Sequence, residues 1–189
     1  IFLNNDTLVE PGALEGLAAT VREPGVGAAG LRLLYPDGTV QHAGVAMLQT
    51  SRAVAPYHMF HNADAEIAAV RGIFELDCVT GACLAIRRDL FKELRGFDVG
   101  YRNGFEDVDL CLRVRMAGHA IVYRGDLRIV HDEGQTRRGH DDLPNQIRFF
   151  GTWADLLGPD DELARTIWNG TLNAFAVVPQ GWPAASPLV

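Results

Sequence analysis

An α/β fold is what the sequence predicts, and three observations carry the prediction. Short apolar runs with strand character alternate with stretches of helical periodicity through the first 157 residues. Two side chains fit for chemistry, Asp6 and His131, follow directly on strand-like runs, where open α/β sheets bind their ligands. A chain of 189 residues that is 48% apolar can bury a sizeable core as one domain, with an appendage at its end.

The elements follow in order. Ile1-Phe2-Leu3 reads as the buried end of a strand in a parallel sheet, and it runs into Asn4-Asn5-Asp6-Thr7. There Asp6 is a candidate ligand for a hard divalent cation, with Asn4 or water completing the shell. The competing account is a turn in which Asn and Asp bond their own backbone. Pro11 opens a helix through Arg22 with Leu14, Leu17, Ala18 and Val21 toward the core. Pro24-Gly25 breaks it, and Val26–Leu34 is the next strand. Tyr35-Pro36-Asp37-Gly38 is a turn, and Val40–Leu48 returns extended.

From Gln49 to Arg71 the pattern weakens into a loop with a short helix near 63–70. His58 and His61 read as surface histidines, because no third ligand or cysteine lies near them. Phe74–Val79 and Cys83–Ile86 are strands flanking Thr80-Gly81-Ala82, whose small side chains permit close approach of a ligand or of another backbone. Asp89 is a candidate cap for a short helix through Leu94.

Gly104 to Val114 is the stretch on which the chain is organised. It sets Glu106, Asp107 and Asp109 in the first turn of a helix. Val108, Cys111, Leu112 and Arg115 share one side; Glu106, Asp109 and Arg113 share the polar side, and Gly118 ends the helix. First-turn acids complement the helix macrodipole. A carboxylate at a helix start beside a glycine loop can also serve as a general base toward a substrate hydroxyl.

Ile121–Tyr123 and Arg128–Val130 read as two short strands, the second ending on His131. The polar loop beyond it carries Arg137 and Arg138, suited to bidentate contact with phosphate or simply to solvation. Leu143–Leu157 has helical spacing. A further helix is expected from Asp160 to about Ala176, then a proline-bearing tail. The division expected is 1–157 as the main domain and 158–189 as a helix with a linker or the start of a further region.

The net charge of −7 argues against a primary role in binding nucleic acid. No apolar run is long enough to span a bilayer. Cys78, Cys83 and Cys111 are odd in number and lack metal spacing, which points to buried reduced thiols in a cytosolic setting.

Phe2-Leu3-Asn4-Asn5-Asp6-Thr7, Thr80–Arg88, Gly96-Phe97-Asp98 and Phe105–Arg113, in this order and spacing, resemble the family 2 glycosyltransferases. The likeness covers roughly residues 1–140 and is to the rhamnosyl- and galactofuranosyl-transferase-like members that build bacterial glycans. It implies a GT-A fold, of which this chain would be the C-terminal, metal- and acceptor-binding part. It implies that Asp6 matches the last acid of the metal-binding Asp-X-Asp motif, with Asn4 replacing the first. It implies Asp107 as catalytic base, Glu106 beside it holding the acceptor, His131 completing the metal site, and Gly81 and Ala82 lining the acceptor pocket. The cofactor implied is Mn²⁺ or Mg²⁺, and the reaction is inverting transfer from a nucleotide-diphosphate sugar to a glycan or lipid-linked hydroxyl. Arg137 and Arg138 would meet the diphosphate.

The chain opens on strand without an initiating Met. The expectation is therefore a piece whose nucleotide-binding half precedes Ile1, inactive or nearly so by itself. An exposed sheet edge would favour homo-oligomers. The setting expected is cytoplasmic, at the inner face of a membrane through regions outside this chain. Two rivals differ in class. A glycoside hydrolase needs carboxylates set apart across a sugar, which neighbours Glu106 and Asp107 do not provide. A non-catalytic acceptor-binding or interaction module would tolerate loss of the Asp107 carboxylate.

Overall fold

A computed structural model describes residues 1–49, 54–132, 143–159 and 175–179. The strands are β1 (Phe2–Leu3), β2 (Thr7–Val9), β3 (Val26–Leu34), β4 (Val40–His42), β5 (Val45–Gln49), β6 (Val54–His58), β7 (Ile73–Leu76), β8 (Cys83–Ile86), β9 (Ala120–His131), β10 (Leu157–Pro159) and β11 (Phe175–Pro179). The helices are α1 (Ala13–Thr20), α2 (Ala68–Arg71), α3 (Arg88–Glu93), α4 (Glu106–Met116) and α5 (Leu143–Trp153), the last followed by a 3₁₀ turn at Ala154–Leu156.

The spine is the parallel pair of β3 and β9, paired from Val26↔Ala120 to Leu34↔Val130 with register shifts at Val26/Ala28 and Leu31/Arg32. Every residue of β3 is buried, as a strand covered on both faces requires. β8 flanks one end of β3 and β4 the other; β7 and β2 do the same along β9, all four antiparallel. The result is a mixed sheet with helices against it, the GT-A type of architecture. One apolar cluster lies between the sheet and α3, α4 and α5, and includes Leu90, Leu110, Leu112, Ile121 and Phe149. A second lies under α1 and includes Leu17, Leu31, Ile129 and Val122.

Several elements differ from the sequence reading. Phe2 and Leu3 form an edge strand antiparallel to β8, not a buried parallel strand, and Leu3 is 40% exposed. The two strands expected at 121–123 and 128–130 are one. Pairing with β3 jumps from Leu31↔Arg124 to Arg32↔Arg128, so residues 125–127 bulge out while the ladder continues past them. The segment after Gln49 contains β6, which pairs with β5, because β5 needs a partner for its backbone groups. Asp89 is not the cap of α3: that position is Arg87, and Asp89 pairs with it from the first turn at 3.3 Å. Phe175 and Ala176, placed in a helix from the sequence, lie in β11, antiparallel to β5. The run Phe-Ala-Val-Val has the β-branched and aromatic character of a strand.

Gly44 makes the corner between β4 and β5 with φ +103°, and an added Cβ would lie 2.6 Å from the Met59 Cε. This corner sends β4 along the main sheet and β5 into the second sheet, ordered β10-β11-β5-β6.

Candidate active site

The strand-end cluster forms where β2 meets the end of β9, with Thr7 opposite His131. His131 is 6% exposed. Its Nε2 lies 3.1 Å from Asp6 Oδ1 and 3.3 Å from Asn4 Nδ2. The Asp132 N–H donates to the Asp6 carbonyl at 2.9 Å, and Thr7 Oγ1 donates to the Asn4 carbonyl at 2.8 Å, so the turn carrying these side chains is closed on both flanks. On the far side of the ring, Nδ1 is 2.6 Å from Gln41 Oε1.

This donor set fits a small divalent cation. Adjacent ligands of an octahedral ion bound at 2.0–2.1 Å stand about 3 Å apart, close to the observed separation of Asp6 Oδ1 and His131 Nε2. A carboxylate and an amide oxygen are hard donors and an imidazole a borderline one, a set compatible with a divalent cation. Among the described residues no group of three or more His, Cys, Asp and Glu could hold a metal, so other ligands would be Asn4, water or substrate oxygens.

The carboxylate cluster forms at the start of α4. Asp107 Oδ2 accepts the Gly81 N–H at 2.6 Å and faces Thr80 Oγ1 at 3.4 Å; Oδ1 accepts the Val108 N–H at 2.8 Å. With two donors on Oδ2 and one on Oδ1, Oδ1 is the oxygen that keeps a further lone-pair direction open. Glu106 turns back, and its Oε2 accepts the Gly104 N–H at 2.6 Å, which closes the turn into the helix. The residue between them in that turn, Phe105, has φ +72°, a strained value for a bulky side chain. It is held there by packing on Tyr101 and Phe149. α5 fixes the same loop: Asn145 donates to the Arg102 carbonyl and accepts its N–H, and Arg148 pairs with Asp98 at 2.7 Å.

One tripeptide joins the two clusters. The Gly81 N–H binds Asp107, while the Ala82 carbonyl, one residue on, accepts the Asn4 N–H at 2.9 Å. Gly81 is tight against the acid: a Cβ there would lie 3.1 Å from the Asp107 Cβ. Beneath the loop lies His42, fully buried, whose Nε2 is 3.4 Å from the Thr80 N and 3.3 Å from the Gly44 N. Its Nδ1 is 3.2 Å from Nδ1 of the half-buried His58. Burial holds the His42 pKa well below the ordinary histidine range, and the neighbouring His58 adds to this.

The profile of the family described as "Glycosyltransferase like family 2" matches residues 1–142. The chain belongs to this family. Relatives agree with it. An O-antigen biosynthesis protein of Myxococcus xanthus is 38% identical over 166 residues, covering 84% of this chain and 13% of that protein. An N-acetylglucosaminyl-diphospho-decaprenol L-rhamnosyltransferase of Mycobacterium tuberculosis is 30% identical over 145 residues, covering 72% of this chain and 47% of the relative. A pre-mycofactocin glycosyltransferase of the same species is 26% identical over 186 residues and is covered to 36%. The chain thus spans less than half the length of each of these relatives. Family 2 is an enzyme family of sugar transfer, and two of these relatives are named as glycosyltransferases.

Set against this family's pattern, the structure gathers Asp6 with His131, and Asp107 with Gly81, and links the two groups through Ala82. Arg137 and Arg138 lie outside the described residues. Asp109, read from the sequence as part of a polar face, is buried instead. Its Oδ2 takes Arg113 at 2.7 Å and its Oδ1 takes the Trp153 indole N–H at 3.1 Å. Gln41 and His42 were missed as parts of the site, whereas Thr80 belongs to the small-residue segment marked in the sequence. The available signal was a Gln-His pair inside an otherwise apolar strand, where buried polar side chains need dedicated partners.

Proposed function

We propose that this chain carries the acceptor-side chemistry of an inverting sugar transfer, from a nucleotide-diphosphate donor to a hydroxyl of a glycan or lipid-linked acceptor. The observation that carries the reading is the Thr80–Ala82 segment, which holds a carboxylate on one side and the Asn4–Asp6 turn on the other. Asp107 is the general base: it takes the acceptor proton as the oxygen attacks, a contribution of about 10²–10⁴-fold. Gly81 orients it. Asp6 and His131, with Asn4, hold the divalent cation. When bound, that ion neutralises charge developing on the departing diphosphate. Glu106 shapes the entry to the base and leaves its second oxygen for an acceptor hydroxyl. The lipid-linked acceptor is favoured by the relative whose name includes a diphospho-decaprenol substrate. With such an acceptor we set the reaction at the cytoplasmic face of a membrane; no helix among the described residues is long and apolar enough to cross one.

The test is Asp107→Asn in the full-length gene product, assayed for nucleoside diphosphate release from UDP- and dTDP-sugars. A loss of about 10²–10⁴-fold is expected with donor binding retained. Activity within a few-fold of wild type would leave this acid as a structural cap and favour a non-catalytic module.

A further inference from the structure

Gln41 lies in β4, is 3% exposed, and spends its whole amide on one residue. Its Nε2 donates to the His131 carbonyl at 3.2 Å, and its Oε1 faces His131 Nδ1 at 2.6 Å. A carbonyl only accepts, so the amide orientation is fixed by its first contact. Oε1 then needs a donor, and Nδ1 must carry the proton. In the neutral ring the lone pair falls on Nε2, which accepts from Asn4 Nδ2 and stands 3.1 Å from the acceptor-only Asp6 Oδ1, two acceptors set side by side as ligands of one cation are. With the His131 backbone and ring both bonded to one buried side chain, rotation of the imidazole away from Asp6 would break the 2.6 Å contact with Gln41.

We propose that Gln41 is the positioning residue of the divalent-cation site: it holds His131 as the Nδ1–H tautomer and presents Nε2 beside Asp6. The proposal rests on the reading of Asp6 and His131 as metal ligands. It goes further by naming what makes the imidazole a ligand. The logic is that of metal sites in which the second nitrogen of a ligating histidine is bonded to an oxygen that sets its tautomer.

Two measurements on the chain separate the parts of the argument. The first is long-range ¹H–¹⁵N correlation of the imidazoles at neutral pH, with His131 assigned by its absence in His131→Gln. Wild type should give a single Nδ1–H tautomer for His131; Gln41→Leu should give a mixture or the Nε2–H form. The second is titration of Mn²⁺ alone, followed by the electron-paramagnetic signal of the free ion. Gln41→Leu should weaken binding about 10–100-fold, and Gln41→Glu, which keeps an oxygen opposite Nδ1, should recover most of it even if the leucine variant folds poorly. An unchanged tautomer in Gln41→Leu overturns the proposal, as does a shifted tautomer with unchanged Mn²⁺ affinity. If Asp6→Ala and His131→Gln bind Mn²⁺ as wild type does, or wild type binds none, the metal reading fails and the proposal falls with it. That failure is recognised by a His131 tautomer that is still fixed by Gln41.

Discussion

Replacing Asp109 by Ala should destabilise the protein by about 3–5 kcal/mol, the cost of breaking a buried pair by removing one partner. On a helix surface the same Asp–Arg pair at i,i+4 would contribute only about 0.3–0.5 kcal/mol. The structure decides between these magnitudes. Asp109 is 3% exposed, and its two oxygens serve two different elements. Oδ2 takes Arg113, whose Nη1 also donates to the Leu94 carbonyl at the end of α3 at 2.7 Å; Oδ1 takes the Trp153 indole at the end of α5. Alanine leaves a buried indole N–H without its acceptor and a guanidinium with only one of its anchors. Urea unfolding of wild type and variant, monitored by tryptophan fluorescence and circular dichroism, gives the difference. A protein of this size should lose about 2–4 °C in Tm per kcal/mol, hence roughly 6–20 °C in all. A double-mutant cycle with Trp153→Phe should return a coupling of about 0.5–3 kcal/mol. A loss under 1 kcal/mol with no coupling would refute the view of Asp109 as the pin that fixes α4, and with it Asp107, against α3 and α5.

Further outcomes follow from the same geometry. Gly81→Ala is sterically close but not barred by φ, and its Cβ would press on the Asp107 Cβ from 3.1 Å. Overpacking should cost about 1–3 kcal/mol of stability and, with Asp107 as the base proposed above, lower the transfer rate by displacing it. A full transfer rate in this variant would show that Asp107 is not positioned by this contact. His42 supplies a pH signature. The unfolded ring takes up its proton near the ordinary histidine value of about 6.5, whereas burial keeps the folded ring neutral well below that. Its contribution is therefore complete above pH 6.5 and declines as the pH falls, by up to about 1.4 kcal/mol per pH unit relative to His42→Gln. Denaturant midpoints of both proteins at pH 7.5, 6.5 and 5.5 check the sign; parallel profiles would mean that His42 takes up its proton in the folded protein as readily as in the unfolded chain.

Much of the fold could be read along the chain. Val26–Leu34 is a strand with the bounds its apolar run indicates, and α4 begins at Glu106 and stops before Gly118, where φ is +82°. Both are local decisions, made by continuous hydrophobicity in one case and by helical spacing with a terminal glycine in the other. The weak stretch after Gln49 was opaque because β6 has no periodic signal of its own and exists only by pairing with β5. The edge character of β1 was hidden for a related reason: an apolar triplet reads the same in a central strand and at a sheet edge.

The site divides along the same line. Sequence alone determined which residue types were on offer and in what order: Asp6 after a strand end, small residues at 80–82, acids at a helix start, and His131 closing a strand. Those features are local and survive without knowing the fold. Tertiary structure decided their company. It brought Asp6 within 3.1 Å of a histidine 125 positions away, placed the Gly81 amide on Asp107, bonded buried Asp109 to Trp153, and gave the neighbours Gln41 and His42 different partners, His131 and the Thr80 amide. The physical reason is that successive strand residues point to opposite faces, so Gln41 and His42 serve different clusters. Which clusters those are depends on what β3 and β9 bring to either face, and no local pattern encodes that.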